Sequence, residues 1–323
     1  MNAFLGIDTS AYTTSAAVVG ETGEVLADER ILLQVEPGKR GLRQSEAHFQ
    51  HTRNLPVLMD KLAPVLEKNR LMALGVSDRP RRLPDSYMPV FLAGLGVSRC
   101  LASIGNYPLY LLSHQEGHVE AAVHNLPLNE QEFITVHISG GTSEILLVKR
   151  DKGRYAIELI LATKDLNAGQ LVDRVGVAMG LPFPSGSYME KLAKNVPTNL
   201  AIPSSVDTQG FSFSGAETRA ISMLAQGVPQ ETVAYLVFMC IANTLEKGIR
   251  MAAQRNMVNG VVMAGGVMAN GIIRNRLTER LKKSGIQLFW ATPDLSTDNA
   301  VGTALLACKC YYYEHEMGVR IEQ

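Results

Sequence analysis

His114 and His118 stand four residues apart in the stretch SHQEGHVEAAV. On a helix that spacing puts both imidazoles on one face, where they reach a single metal ion. The alternative is a pair of polar histidines on an ordinary helix, and Gly117 between them weakens the helix itself. In the zinc-peptidase pattern H-E-x-x-H, a glutamate directly after the first histidine activates bound water. Gln115 occupies that position here, so the pair argues poorly for proteolysis. A third ligand is available at Asp298 in STDNAVG, where a loop after the apolar run IQLFWA enters a helix. The same residue in the same place also suits a helix N-cap. Two imidazoles and one carboxylate would suit Zn2+ or Fe2+, with coordination positions left open for substrate.

Glycine-rich turns suggest a second chemistry. Ser139-Gly140-Gly141-Thr142 offers backbone N–H groups with little side-chain obstruction, which suits a phosphate. PFPSGS, containing Gly186, and AGGVMAN, containing Gly265, Gly266 and Asn270, would bracket a nucleoside. Asp173 or Glu190 would accept hydrogen bonds from ribose hydroxyls. None of these is a Walker A or G-x-G-x-x-G sequence, so P-loop and Rossmann readings are set aside. Each turn by itself is also an ordinary chain reversal.

Alternating strands and helices must position these groups. FLGIDTSAYTTSAAVVG predicts strand, polar turn, strand, and FITVHISGGTSEILLVK repeats that plan about 130 positions later. Helical patterns lie between the two hairpins, and helix–turn–strand alternation follows, arguing for an α/β fold. A chain of 323 residues exceeds what one core usually serves. Two closely joined domains are expected, 1–130 with the histidine helix and 131–323 with the glycine turns and Asp298, with a cleft between them. Lys plus Arg equals Asp plus Glu at 31 each, so net charge specifies neither a nucleic-acid nor an acidic partner. The basic cluster RPRR, Arg79 to Arg82, suits a solvated loop. Four cysteines without disulfide spacing suit a reducing compartment. No signal peptide and no membrane span are expected, since no run approaches the roughly 18 apolar residues that crossing requires. A cytoplasmic location follows as the expectation.

In order, LGIDTS (5–10), HQEGH (114–118), SGGTSEI (139–145), AGQLVDRVGVAMGLPFPSG (168–186), FSFSGAET (211–218), VMAGGVMAN (262–270) and ATPDLSTDNA (291–300) span almost the whole chain. Together they resemble the tRNA threonylcarbamoyladenosine synthase family (TsaD, long called glycoprotease or O-sialoglycoprotein endopeptidase). The resemblance implies the two-domain actin/Hsp70/sugar-kinase (ASKHA) fold. It implies His114, His118 and Asp298 as ligands of one divalent ion, Fe2+ or Zn2+. His137, Ile138, Ser139, Gly140, Gly141, Asp173, Gly186, Glu190, Gly265, Gly266 and Asn270 would bind an ATP- or AMP-type nucleotide or threonylcarbamoyl-AMP. Asp8 and Ser10 would be catalytic. The implied reaction moves the threonylcarbamoyl group to N6 of the adenosine beside the tRNA anticodon. Implied partners are an adenylate-forming enzyme, a smaller homologous subunit in a heterodimer, and tRNA; a homodimer is the other assembly considered.

The departures from the family pattern are local. Where relatives usually read E-T-S-C-D-[ED]-T, this chain reads DTSAYTT, with Ala11 and Tyr12 replacing two acidic residues. RGLRQSEAHFQH keeps His51 but loses the usual proline and arginine pattern, and Thr142 replaces a histidine after Ser-Gly-Gly. GVSDRPRRLPDSYMPVFL puts arginines and proline where relatives have glycines. These changes motivate a second reading, a divergent paralogue that binds nucleotide and metal but regulates or serves another carbamoyl acceptor. Metallopeptidase activity is third.

Overall fold

The computed structural model describes residues 1–10, 12–35, 42–193, 195 and 199–321. Contacts divide the chain into two units. The first comprises Met1–Asn125, Arg150–Ala156 and Asp294–Gln323, and the second Leu126–Lys149 and Ile157–Pro293. The first crossing falls close to residue 130. The last thirty residues, Asp298 among them, group with the first unit, whereas the sequence reading had kept them with the second half.

The first unit is built on a five-stranded mixed sheet. Its strands are β1 (Asn2–Thr9), β2 (Thr13–Gly20), β3 (Val25–Leu32), β4 (Arg70–Arg79) and β5 (Leu109–Ser113), in the order β3-β2-β1-β4-β5. β1 and β2 form the expected antiparallel hairpin, and β4 and β5 continue the sheet in parallel. β1 and β2 are buried almost throughout, so they read as near-continuous apolar runs rather than alternating ones. Helices α1 (Gln44–Lys68) and α2 (Phe91–Gly105) link the parallel strands, and α3 (His114–Val123) follows β5 directly. Leu55, Leu58 and Leu62 of α1 lie at helical spacing and pack on Leu5, Ile7, Leu74 and Val76 of the sheet.

The second unit repeats the plan. Its strands β6 (Glu132–Ile138), β7 (Ser143–Asp151), β8 (Arg154–Ala162), β11 (Gly260–Ala264) and β12 (Gln287–Trp290) order as β8-β7-β6-β11-β12, matching the first sheet strand for strand. A small hairpin, β9 (Ser205–Asp207) with β10 (Gly210–Ser212), stands apart from that sheet. Its helices are α4 (Ala168–Ala178), α5 (Gly186–Leu192), α6 (Ser214–Ala225), α7 (Gln230–Asn256) and α8 (Gly271–Lys282). Among the described residues only α7 is long and apolar enough to cross a membrane, and most of its apolar window is buried inside the protein. Val237, Ile241, Leu245 and Ile249 of α7 belong to the core of this unit.

The chain ends in α9 (Val301–Met317), which returns to the first unit and packs on α3 and β1. Its approach is close because small residues meet there. A β-carbon on Gly302 would run into the carbonyl of Gly117, and one on Gly6 would strike the α9 backbone at Ala300 and Ala304. Gly302 is therefore what admits α9 against α3, while a β-carbon on Gly117 would press only on the Thr303 hydroxyl.

Candidate metal centre and nucleotide-binding turns

Asp8 lies at the end of β1, nearly sealed from solvent. One carboxylate oxygen accepts the Ser10 N–H at 2.9 Å, and the other sits 2.8 Å from His114 Nδ1. Burial opposes ionisation of Asp8. The charge attraction of His114, with hydrogen bonds from His114, Ser77 and Ser10, outweighs that cost and holds the carboxyl well below the usual range. Burial equally disfavours a charged His114, yet attraction to Asp8 and Asp298 raises its pKa to about 9.

The start of α3 is fixed by its own sequence. Ser113 and Glu116 form a capping box: Ser113 Oγ accepts the Glu116 N–H, and the Glu116 carboxylate accepts the Ser113 N–H at 2.8 Å. Helix geometry then brings His118 Nε2 to 2.9 Å from His114 Nε2. Asp298 Oδ1 completes the group, 3.3 Å from His118 Nε2 and 3.7 Å from His114 Nε2. Burial works against ionised Asp298, but the His118 hydrogen bond and the charge of His114 prevail, and its carboxyl lies below its ordinary value. No other group of His, Cys, Asp or Glu among the described residues converges for a metal in this way.

The loop that carries Asp298 is anchored around it. Ala300 is the N-cap of α9, and Asn299 Oδ1, not the Asp298 carboxylate, accepts the N–H groups of Val301 and Gly302 at 3.0 and 3.4 Å. The N-cap reading of Asp298 is thereby excluded, and its carboxylate is left facing the histidines. Arg30 of β3 donates to Thr297 Oγ1 and to the Asp294 carbonyl, which ties the loop to the sheet.

These donors fit a divalent ion. Ligands about 2.0–2.2 Å from a tetrahedral ion lie roughly 3.3–3.6 Å apart, so only the His–His separation needs to open slightly. Asp8 holds the far nitrogen of His114, as a carboxylate behind a metal-bound imidazole does. Glu116 is committed elsewhere, to the cap of α3 and to Arg154 Nε at 3.2 Å. It is not poised over the histidine pair as a peptidase base would be.

In the second unit the glycine turns gather at the carboxyl ends of β6 and β11. Gly265, with φ +95°, lies so close to Ile138 and His137 that a β-carbon would strike the Ile138 carbonyl. Ser139 Oγ accepts the N–H groups of Gly141 and Thr142, and the Ser139 carbonyl receives Gly169 at the start of α4. Asp173 Oδ1 accepts the Ser185 N–H at 2.8 Å, beside Gly186. Glu190 Oε1 accepts the Gly271 N–H at 2.7 Å, and Asn270 Oδ1 caps α8 through the Ile273 N–H. Each carboxylate retains acceptor capacity on its second oxygen. Of the eleven sequence-selected nucleotide residues, His137 and Ile138 end β6, Asp173 lies in α4, Gly186 and Glu190 lie in α5, and the rest sit on the turns after β6 and β11, where Gly266 is exposed.

The model of one protein family, tRNA N6-adenosine threonylcarbamoyltransferase (TsaD), matches residues 33–305. The chain belongs to that family. The threonylcarbamoyltransferase of Thermosipho africanus is 30% identical over 95% of this chain and 94% of its own length. That of Halalkalibacterium halodurans is 30% identical over 92% of this chain and 87% of its length. Solved structures show the same ASKHA fold at low identity. Component A of the Acidaminococcus fermentans (R)-2-hydroxyglutaryl-CoA dehydratase superposes with TM-score 0.56 at 19% identity, over 97% of this chain and all of its own. A ROK-family glucokinase from Streptomyces griseus gives 0.53 at 14%, over 94% and 99%.

Within this threonylcarbamoyltransferase fold, Ser10 is buried with its Oγ lacking any partner, while Tyr12 is largely exposed. Ala11, Arg40 and Gly41, named among the departures, lie outside the described residues. Ser77, Glu116 and Arg154 escaped the sequence reading as contributors to the site. Glu116 was findable, because Ser113-His114-Gln115-Glu116 is the S-x-x-E capping signature. Ser77 and Arg154 carry no local signal.

Proposed function

We propose that this chain transfers the threonylcarbamoyl group of threonylcarbamoyl-AMP to N6 of the adenosine beside the tRNA anticodon. The observation that carries the reading is the His114–His118–Asp298 group with Asp8 behind it, in a chain of the threonylcarbamoyltransferase family. The N6–carbonyl bond forms, the carbonyl–oxygen bond of the mixed anhydride to AMP breaks, and AMP leaves with that oxygen as one N6 proton is lost.

The chain's own residues have definable parts. Asp8 accepts the Nδ1–H of His114 and directs Nε2 toward the ligand position. His114, His118 and Asp298 would hold one divalent ion, Fe2+ or Zn2+, which supplies Lewis-acid polarisation and orientation when bound. Ser10 donates its N–H to Asp8 and so helps hold the carboxylate that faces His114. In the second unit, the Gly140 N–H and those near Gly266 take up phosphate charge as AMP departs. The second oxygens of Asp173 and Glu190 accept from ribose hydroxyls. An adenylate-forming enzyme is the proposed supplier of the substrate and a smaller homologue the proposed dimer partner.

The first hairpin favours one alternative. DTSAYTT has no carboxylate between Ser10 and Thr13, which suits a paralogue that binds nucleotide and metal but serves another acceptor or a regulatory role. Incubation with threonylcarbamoyl-AMP and unmodified tRNA, followed by nucleoside mass analysis, separates the two. A threonylcarbamoyladenosine peak supports transfer. Its absence, with nucleotide and metal both bound, supports the paralogue.

A further inference from the structure

Behind the capping box of α3 lies a cavity of about 140 Å³, lined by Arg79, Arg82, Arg154, Asp78, Glu116 and their neighbours. At about 30 Å³ per water, that volume admits one tetrahedral oxyanion with a little solvent. Three guanidinium groups face two carboxylates, so the cavity carries one excess positive charge. Arg79 is satisfied by Asp78, at 2.8 and 2.5 Å. Arg154 is satisfied by Glu116 and the Leu111 carbonyl. Glu116 is already occupied by Ser113 and Arg154, and it meets Arg82 only at 3.6 Å. Among the described residues Arg82 makes no hydrogen bond. Its forked donors therefore line a cavity without an acceptor to receive them.

We propose that the Arg79–Arg82–Arg154 cavity is an oxyanion site that binds a phosphate group, separate from both the metal ligands and the glycine turns. A planar guanidinium grips a phosphate through two parallel N–H···O bonds, and three of them around one cavity specify that chemistry over a halide. Burial and the charge of Arg154 both push the Arg82 pKa down, the mark of a cation awaiting an anion. Arg79 and Arg82 fall in the RPRR segment, where the sequence replaces the glycines usual in the family, and Arg154 comes from the start of β8. The phosphate is either free or part of a nucleic-acid backbone. Only the second source rests on the tRNA reading.

The test uses metal-loaded full-length protein and two probes. Inorganic phosphate is titrated calorimetrically against chloride at matched ionic strength, with wild type, R82Q and R82K. Expected is one saturable site, weakened at least tenfold in R82Q and partly restored in R82K. Unmodified tRNA is then titrated across a salt series. A backbone source lowers tRNA affinity in R82Q and reduces the log–log salt slope by about one. Arg82 is half-exposed, and circular dichroism of R82Q confirms the fold. If R82Q leaves both phosphate binding and the tRNA salt slope at wild-type values, the proposal is overturned.

Discussion

Asp8 Oδ2 lies 2.8 Å from His114 Nδ1, joining the end of β1 to the first residue of α3. One contact thereby links the hairpin expected to be catalytic to the helix expected to bind metal. It fixes which imidazole nitrogen is free, because a carboxylate on Nδ1 requires the proton there and leaves Nε2 for an ion. Replacing Asp8 by Asn removes that preference while keeping the shape. Metal affinity in D8N is expected to fall about 10–100-fold, read by chelator competition. An unchanged affinity would leave Asp8 without a positioning role.

Metal uptake should release a proton. His114 in the metal-free protein is raised to about 9, so near neutral pH its Nε2 carries a hydrogen that an ion must displace. Affinity is expected to climb with pH, by up to about tenfold per unit, and to level off above pH 9. Calorimetry in buffers of different ionisation enthalpy counts the proton directly.

His51 sets an acid limit on stability. It is fully buried on α1, with Thr14 Oγ1 at 2.9 Å from Nδ1, and burial depresses its pKa to about 4 against the ordinary 6.5. The unfolded chain therefore binds a proton first as pH falls. The His51 contribution to stability is complete above pH 6.5 and declines between 6.5 and 4, by at most about 3 kcal/mol. Denaturant midpoints measured across that window should show the slope in wild type and a shallower one in H51Q, the remainder coming from His124, whose pKa burial also lowers. Carboxylates such as Asp8 act at lower pH and do not confuse the comparison.

Gly302 tests how α9 delivers Asp298. Ala at this position drives a methyl into the Gly117 carbonyl, so G302A is expected to lose about 1–3 kcal/mol of stability. It should also weaken metal binding, because the loop bearing Asp298 must shift with the helix. G266A, where a β-carbon meets open space, is the control for stability.

Much of this was legible in the sequence. The two hairpins stand where DTS and SGGTS predicted them, and helices lie between them and alternate with strands after the second, as the patterns indicated. His114 and His118 converge because a 3.6-residue repeat is local information. β3, β4 and β5 were not read out, since VLADERIL alternates weakly and LYLLS is too short to tell strand from helix. Nor does any local pattern say that the last helix returns to the first unit. That depends on Gly6, Gly117 and Gly302 matching across long sequence separations, which a single chain does not announce. The role of Asp298 was left open between cap and ligand, and the Asn299 side chain, which takes the N–H groups of Val301 and Gly302, removes the cap reading.

The most direct measurement is the nucleoside mass of tRNA after incubation with metal-loaded protein and threonylcarbamoyl-AMP. A threonylcarbamoyladenosine peak in wild type, lost in H114A and strongly reduced in D8N, is the expected result. Unmodified tRNA from wild type with a full complement of metal, or an undiminished peak from metal-free H114A, would contradict it.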